Sequence, residues 1–309
     1  MTYAYDPELT ELVELLPSGT LDDVVVAREG LDAVLSMLNV DLDTTGLSIE
    51  DLTVPGPAGA PEVPVRVYRP DAPSGAGLLY LHGGGFVLGS LDSEHAGAVL
   101  LARELGVVVV SVDYRLAPED PFPAGLEDCY SALQWLHTHA GENGVDTSRI
   151  GVIGQSAGGG LAAGLALLAR DRGGPELCFQ YLGIPELDDR LTTPSMTAFV
   201  DTPLWSRPNA VLSWQHYLAG ATGDDVSPYA APARATDLAG LPPAYISTME
   251  FDPLRDEGIH YALGLMAAGV SCELHSFPGT FHGSAIATGA AVSRRAMAET
   301  LEVLRRRLA

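Results

Sequence analysis

The sequence predicts an α/β fold built on one mostly parallel sheet of about eight strands, with helices on both faces. Three observations carry this expectation. Apolar runs of strand length alternate with helix-length stretches along most of the chain, the ordering of an α/β protein. Four of the strand candidates are continuous apolar runs, as parallel strands covered on both faces require. One of them, 150–154, breaks directly into an Ala/Leu-rich helical stretch at Gly154-Gln155-Ser156-Ala157-Gly158.

An acidic, helix-prone segment, 6–38, comes first. Strands are then expected at 47–54, 63–69, 78–82, 107–113, 150–154, 179–184, 244–249 and 272–277, and helices at 93–105, 126–141, 161–172, 255–268 and 293–308. Between Ile184 and Ala244 lies a segment too long for an ordinary loop, carrying Met196, Phe199, Leu204, Trp205, Trp214 and Tyr217. A helix at 208–218 within it, together with the N-terminal helices, is expected to lie over the sheet as a cap. At 309 residues and with no Ser/Gly/Pro linker, the chain is expected to form one domain, 1–309, capped by about 1–45 and 186–238. The aromatic side chains of the insertion either glue it to the core or shape a pocket, and as a group they favour a pocket.

Composition narrows the partners. A formal net charge of −23 opposes binding to nucleic acid or to an anionic membrane, because phosphates would be repelled over most of the surface. All 17 basic residues are arginines, which excludes a lysine Schiff base. Cys129, Cys178 and Cys272 are odd in number and far apart, so they predict buried thiols in a reducing compartment and neither a disulfide framework nor a Cys-x-x-Cys metal site. No signal-peptide pattern opens the chain and no apolar stretch is long enough to span a bilayer, so a cytoplasmic location is expected.

The Ser156 turn is the centre of the chemistry. A serine between strand and helix needs neighbours without a Cβ, because the two elements approach closely; Gly154 and Gly158 supply that room. Its Oγ is then exposed at the positive end of a helix, which suits a nucleophile. A serine hydroxyl attacks only when a base takes its proton, an acid orients that base and donors receive the oxyanion. His282, in the Gly-rich run after the last strand, is the candidate base. His275 lies inside a strand and His260 inside a helix, so both are assigned structural roles. His137 and His139 do not share a helix face and make no metal pair, and His95 and His216 are open as pocket residues, with a surface or core place favoured.

Asp252 directly follows the seventh strand and is held in place by Pro253, which makes it the favoured acid over Glu250 and Asp256. For the oxyanion, His82-Gly83-Gly84-Gly85-Phe86 follows the third strand, and the N–H groups of Gly84, Gly85 and Ala157 form a candidate donor set. A triple-glycine turn also suits a phosphate, but a chain without lysine has no P-loop. Phe86, Met196, Phe199, Leu204, Trp205 and Trp214 are the candidate substrate-binding residues.

With these residues assembled, the chain resembles the hormone-sensitive-lipase family of α/β-hydrolases. The likeness rests on His82-Gly83-Gly84-Gly85, the Ser156 turn, the Asp252-Pro253-Leu254-Arg255-Asp256-Glu257 loop and the late His282, and it spans nearly the whole length. Within the family, the strings from Ile184 to Arg190 and from Phe199 to Trp205 look like those of bacterial heroin esterases, which are acetyl-ester hydrolases. The resemblance implies Ser156, Asp252 and His282 as a triad, Gly84, Gly85 and Ala157 as oxyanion donors, no metal and no other cofactor. It also implies a small-molecule ester as substrate and pairing into a homodimer through the last strand and helix. An amidase or deacetylase of the same fold is the alternative. One residue departs from the family pattern: Gln155 stands where an aspartate usually precedes the serine.

Overall fold

The computed structural model describes residues 3–16, 21–38 and 42–309. Within the expected cap, residues 1–2, 17–20 and 39–41 lie outside the described residues.

Eight strands form one sheet in the order β1-β2-β4-β3-β5-β6-β7-β8. They are β1 (Leu47–Val54), β2 (Val63–Pro70), β3 (Gly77–Leu81), β4 (Val108–Val112), β5 (Ile150–Gln155), β6 (Phe179–Gly183), β7 (Ala244–Phe251) and β8 (Cys272–Phe281). Only β2 runs against its neighbours; the ladder from β4 to β8 is parallel. Every residue of β3, β4 and β6 is buried, which explains why these strands are apolar throughout and do not alternate.

The helices divide between the two faces. On one face α4 (Ala124–Thr138), α5 (Ala157–Arg172) and α8 (Arg255–Ala267) bury Leu133, Leu165 and Leu265 against Val110, Val152 and Ile246 of the sheet. On the other, α3 (His95–Leu105) and α9 (Ala291–Arg307) bury Leu101 and Leu304 against Val109, Ile153 and Tyr245. Alternate residues of one strand thus feed two cores, the period-2 geometry of a pleated sheet. Among the described residues, no helix is long and apolar enough to cross a membrane.

The N-terminal segment is less regular than its composition suggests. A 3-10 turn at Pro7–Leu9 leads into the short α1 (Thr10–Leu15), and α2 (Val24–Leu38) follows separately. In the insertion, α6 (Pro194–Ala198) and α7 (Arg207–Leu218) are joined by a bent loop in which Leu204 takes a φ of 59°. Of the three thiols, only Cys129 is buried; Cys178 and Cys272 are half-buried, which corrects the expectation for those two. Cys178 immediately precedes β6 and Cys272 opens β8, the edge strand.

Candidate active site

Four loops converge at the carboxyl ends of β3, β5, β7 and β8, the edge of a parallel sheet at which ligands ordinarily bind. Ser156 sits between β5 and α5 at φ 57° and ψ −122°, a sparsely populated conformation for a residue with a Cβ. The turn closes only because its flanks are bare. A Cβ on Gly154 would collide with the Gly158 carbonyl, and one on Gly158 would collide with the carbonyls of Leu81 and His82. Ser156 N–H donates to the Gly183 carbonyl (2.8 Å), tying the turn to β6. Its hydroxyl does not cap α5, so it is left for other work.

That hydroxyl lies 2.9 Å from His282 Nε2, and His282 Nδ1 lies 2.8 Å from Asp252 Oδ2. The second carboxyl oxygen of Asp252 accepts the Leu254 N–H at 2.9 Å. All three side chains are buried, with Asp252 wholly so. The line Ser156–His282–Asp252 therefore has an acceptor for the hydroxyl proton and an oriented carboxylate behind the imidazole. The two rival acids are engaged elsewhere. Glu250 accepts the Gly279 N–H at 2.6 Å, and Asp256 accepts the Ser195 N–H at 2.7 Å and pairs with Arg255. The other histidines also stand apart: His275 bonds Glu299, and His95 bonds the Tyr68 hydroxyl.

The glycine run after β3 passes beside this line. Gly84 and Gly85 take φ of 119° and 58°, values that favour glycine, and Gly84 closes the turn by accepting the N–H groups of Val87 and Leu88. The N–H groups of Gly84, Gly85 and Ala157 donate to no other backbone or side-chain group among the described residues. Three unengaged donors near a serine oxygen are suited to a developing oxyanion. His82 anchors the run from beneath. Its ring stacks on Tyr114 at 4.1 Å, the Tyr114 hydroxyl donates to its carbonyl, and burial, opposed by its contact with the Gly83 carbonyl, pulls its pKa down to about 4.

The candidate pocket residues separate into two groups. Trp205 faces the site: its ring centroid is 5.8 Å from that of His282, and a Cβ on Gly85 would lie 2.5 Å from its edge. Leu204 packs against Gly283, next to His282. The others stand further back. Phe86 stacks on Tyr217 at 3.9 Å and tilts against Trp214 at 5.4 Å, both on α7. Met196 is wholly buried with Trp205, Val87 and Leu254. Phe199 packs among Tyr3, Phe251 and the Arg255 guanidinium. It joins the insertion to the N-terminal segment, where the Tyr3 hydroxyl also donates to Asp201.

Gln155, the residue that departs from the family pattern, lies across Gly183, where any Cβ would overlap its carboxamide. The Tyr181 hydroxyl is within its reach and also bonds Thr300 of α9 at 2.7 Å. An amide thus fills a site under the nucleophile turn without placing a charge there. Sequence reasoning did not single out Glu186 and Ser213. A carboxyl in the apolar run Ile184-Pro185-Glu186-Leu187 is the signal that points to the first of them.

A family model described as the α/β-hydrolase fold matches residues 78–286, which contain every loop just described. The chain belongs to the α/β-hydrolase fold family. Its resemblance to the hormone-sensitive-lipase branch holds as well, since the match and the relatives below are of that type. The hydrolase superposes on the solved structure of a bacterial heroin esterase with a TM-score of 0.97 at 56% identity, covering 99% of this chain and 98% of that one. It is 44% identical over 290 residues to the carboxylesterase NlhH of Mycobacterium tuberculosis, covering 90% of this chain and 88% of the relative. It is also 34% identical over 292 residues to the ethyl acetate hydrolase of Pseudomonas putida, covering 90% and 91% respectively.

Proposed function

We propose that this hydrolase is a serine carboxylesterase acting on short-chain, acetyl-type esters, those of bulky or aromatic alcohols among them. The observation that carries the reading is the buried hydrogen-bonded line from Ser156 Oγ through His282 to Asp252. Ser156 Oγ attacks the ester carbonyl while His282 Nε2 takes its proton, and the Asp252 carboxylate stabilises the imidazolium. The oxyanion of the tetrahedral intermediate is received by the N–H groups of Gly84, Gly85 and Ala157. His282 then returns the proton to the departing alkoxide, leaving an acyl-enzyme that water hydrolyses by the same steps.

Trp205 and Leu204 wall the substrate side of the site, with Phe86, Met196 and Trp214 fixing that wall from behind and Phe199 holding the insertion to the N-terminal segment. Residues of about 1–45 and 186–238 act together as the cap of one domain. One relative carries the name ethyl acetate hydrolase, which supports small acyl groups, and another the name carboxylesterase, which supports the reaction. Pairing into a homodimer through β8 and α9, and a cytoplasmic location, belong to the same reading; light scattering and cell fractionation test them.

A p-nitrophenyl ester series from acetate upward tests the acyl preference, and the highest kcat/KM is expected at acetate or propionate. A maximum at long chains would refute it. Ser156→Ala should abolish turnover while leaving the circular dichroism spectrum unchanged. An aryl ester assayed beside its matching anilide separates an esterase from an amidase.

A further inference from the structure

One buried carboxyl near the nucleophile has no part in the triad. Glu186 lies just beyond the end of β6 and is wholly buried. Its backbone is clamped to the nucleophile turn: its N–H donates to the Ser156 carbonyl at 3.1 Å, and its own carbonyl presses on Gly160, where a Cβ would strike it. Yet neither oxygen of its carboxyl makes a hydrogen bond of normal geometry among the described residues; the Ser213 hydroxyl is the side-chain hydroxyl that bears on it. A charged carboxylate so placed would forfeit its hydration with nothing in return. Burial, opposed by the Ser213 hydroxyl and then reinforced by the charge of Asp252, pushes its pKa up to about 8.

Ser213, on α7, decides the direction of the proton. Its hydroxyl donates to the Gly85 carbonyl at 2.9 Å. A hydroxyl has a single proton to give. With that proton spent on Gly85, Ser213 Oγ can serve Glu186 only as an acceptor, and only the neutral acid has a proton to donate. A proton on Glu186 would therefore pass its hydrogen bond to Ser213 Oγ, and Ser213 passes its own to the Gly85 carbonyl, in one direction only. The sequence of bonds ends on the carbonyl of Gly85, the residue whose N–H belongs to the candidate oxyanion donor set.

We propose that Glu186 is a positioning residue that stays protonated and, through Ser213, holds the glycine run at Gly85 in its working geometry. The inference rests on the carboxylesterase reading and deepens it. The other titratable groups that bear on Glu186 are Asp252 beyond β7, Tyr217 on α7 and Glu257 on α8. None of them is a cation, so no neighbouring charge rewards ionisation. Above about pH 8 the carboxylate that forms would compete with Gly85 for the Ser213 proton. The cost falls on kcat more than on KM, because the donors meet full negative charge only in the transition state.

The test uses the purified enzyme with p-nitrophenyl acetate, comparing wild type with Glu186→Gln, Glu186→Leu and Ser213→Ala from pH 6 to 10. Active sites are counted by organophosphate labelling, so an unfolded fraction does not enter kcat. A carboxamide can still donate to Ser213 and does not ionise. Glu186→Gln should keep kcat within about threefold at pH 7 and lose the alkaline decline that wild type shows. Glu186→Leu and Ser213→Ala should each lower kcat by roughly 10- to 100-fold with KM nearly unchanged, the scale of a misplaced reacting group. Wild-type kcat in Glu186→Leu, or an alkaline decline that persists in Glu186→Gln, overturns the inference. Wild-type enzyme that takes no label at Ser156 overturns the carboxylesterase reading instead.

Discussion

Replacing Ser156 with glycine and, separately, with alanine isolates the strain held at the nucleophile turn. Both variants lack Oγ and lose the 2.9 Å contact with His282, so that contact cancels in the comparison. They differ in the Cβ, which alanine must carry at φ 57° and ψ −122°. Such a conformation costs a residue with a side chain about 1–3 kcal/mol. Glycine gives back about 0.4–1 kcal/mol through its freer unfolded chain. The glycine variant should therefore be more stable than the alanine variant by about 1 kcal/mol, or roughly 2 °C in Tm for a chain of this size. Urea unfolding of the two inactive proteins measures the difference. An alanine variant as stable as the glycine variant, or more so, refutes the claim that the turn stores strain.

Three further outcomes are expected. Asp252→Asn should lower kcat on the order of 10⁴-fold, because the amide can impose the wrong imidazole tautomer on His282; steady-state kinetics at pH 7 read it. Gly158→Ala should cost about 3 kcal/mol in urea unfolding, since its Cβ meets the backbone carbonyls of Leu81 and His82, which cannot rotate away as a side chain can. Glu186→Gln should flatten the pH dependence of stability. With its pKa raised from 4.5 to about 8 by burial, native Glu186 holds a proton that the unfolded chain has already lost between those values, so its contribution falls as pH rises by about 1.4 kcal/mol per unit. Urea midpoints from pH 5 to 9 for both proteins check the sign, and a steeper slope in the variant would contradict it.

The strand positions and the residues at the ends of β3, β5, β7 and β8 were legible because the central strands are short and apolar and lead into turns of distinctive chemistry. Element boundaries were less so where tertiary contact overrides propensity. The α5 helix was expected from Leu161 but starts at Ala157, since Gly158, Gly159 and Gly160 rank low as helix formers yet are demanded by the loops packed on that turn. Strand β8 was expected to stop at Phe277 but runs through Pro278 and Gly279 to Phe281. It is the edge strand, where proline costs no ladder bond, and a register shift near Met249 and Phe251 of β7 accommodates the extra length. That extension sets His282 directly at the strand end. The insertion was least legible: composition pooled its aromatics, whereas only packing separates Trp205, against His282, from Phe199, against Tyr3.

Two carboxyl groups buried near the nucleophile show how surroundings assign roles that residue type cannot. Asp252 meets the Leu254 N–H on one oxygen and the imidazole on the other, so both of its oxygens have work as a carboxylate. Glu186 meets no donor, and the hydroxyl that bears on it, Ser213, has already given its proton to Gly85. Exchanging the charge states of the two would leave His282 without its orienting acceptor and the Gly85 carbonyl without its donor. The two carboxyls are therefore separated by the donors they meet. Here the separation is written in backbone: the Leu254 N–H reaches Asp252, whereas the N–H of Glu186 goes to the Ser156 carbonyl and none reaches the second carboxyl among the described residues.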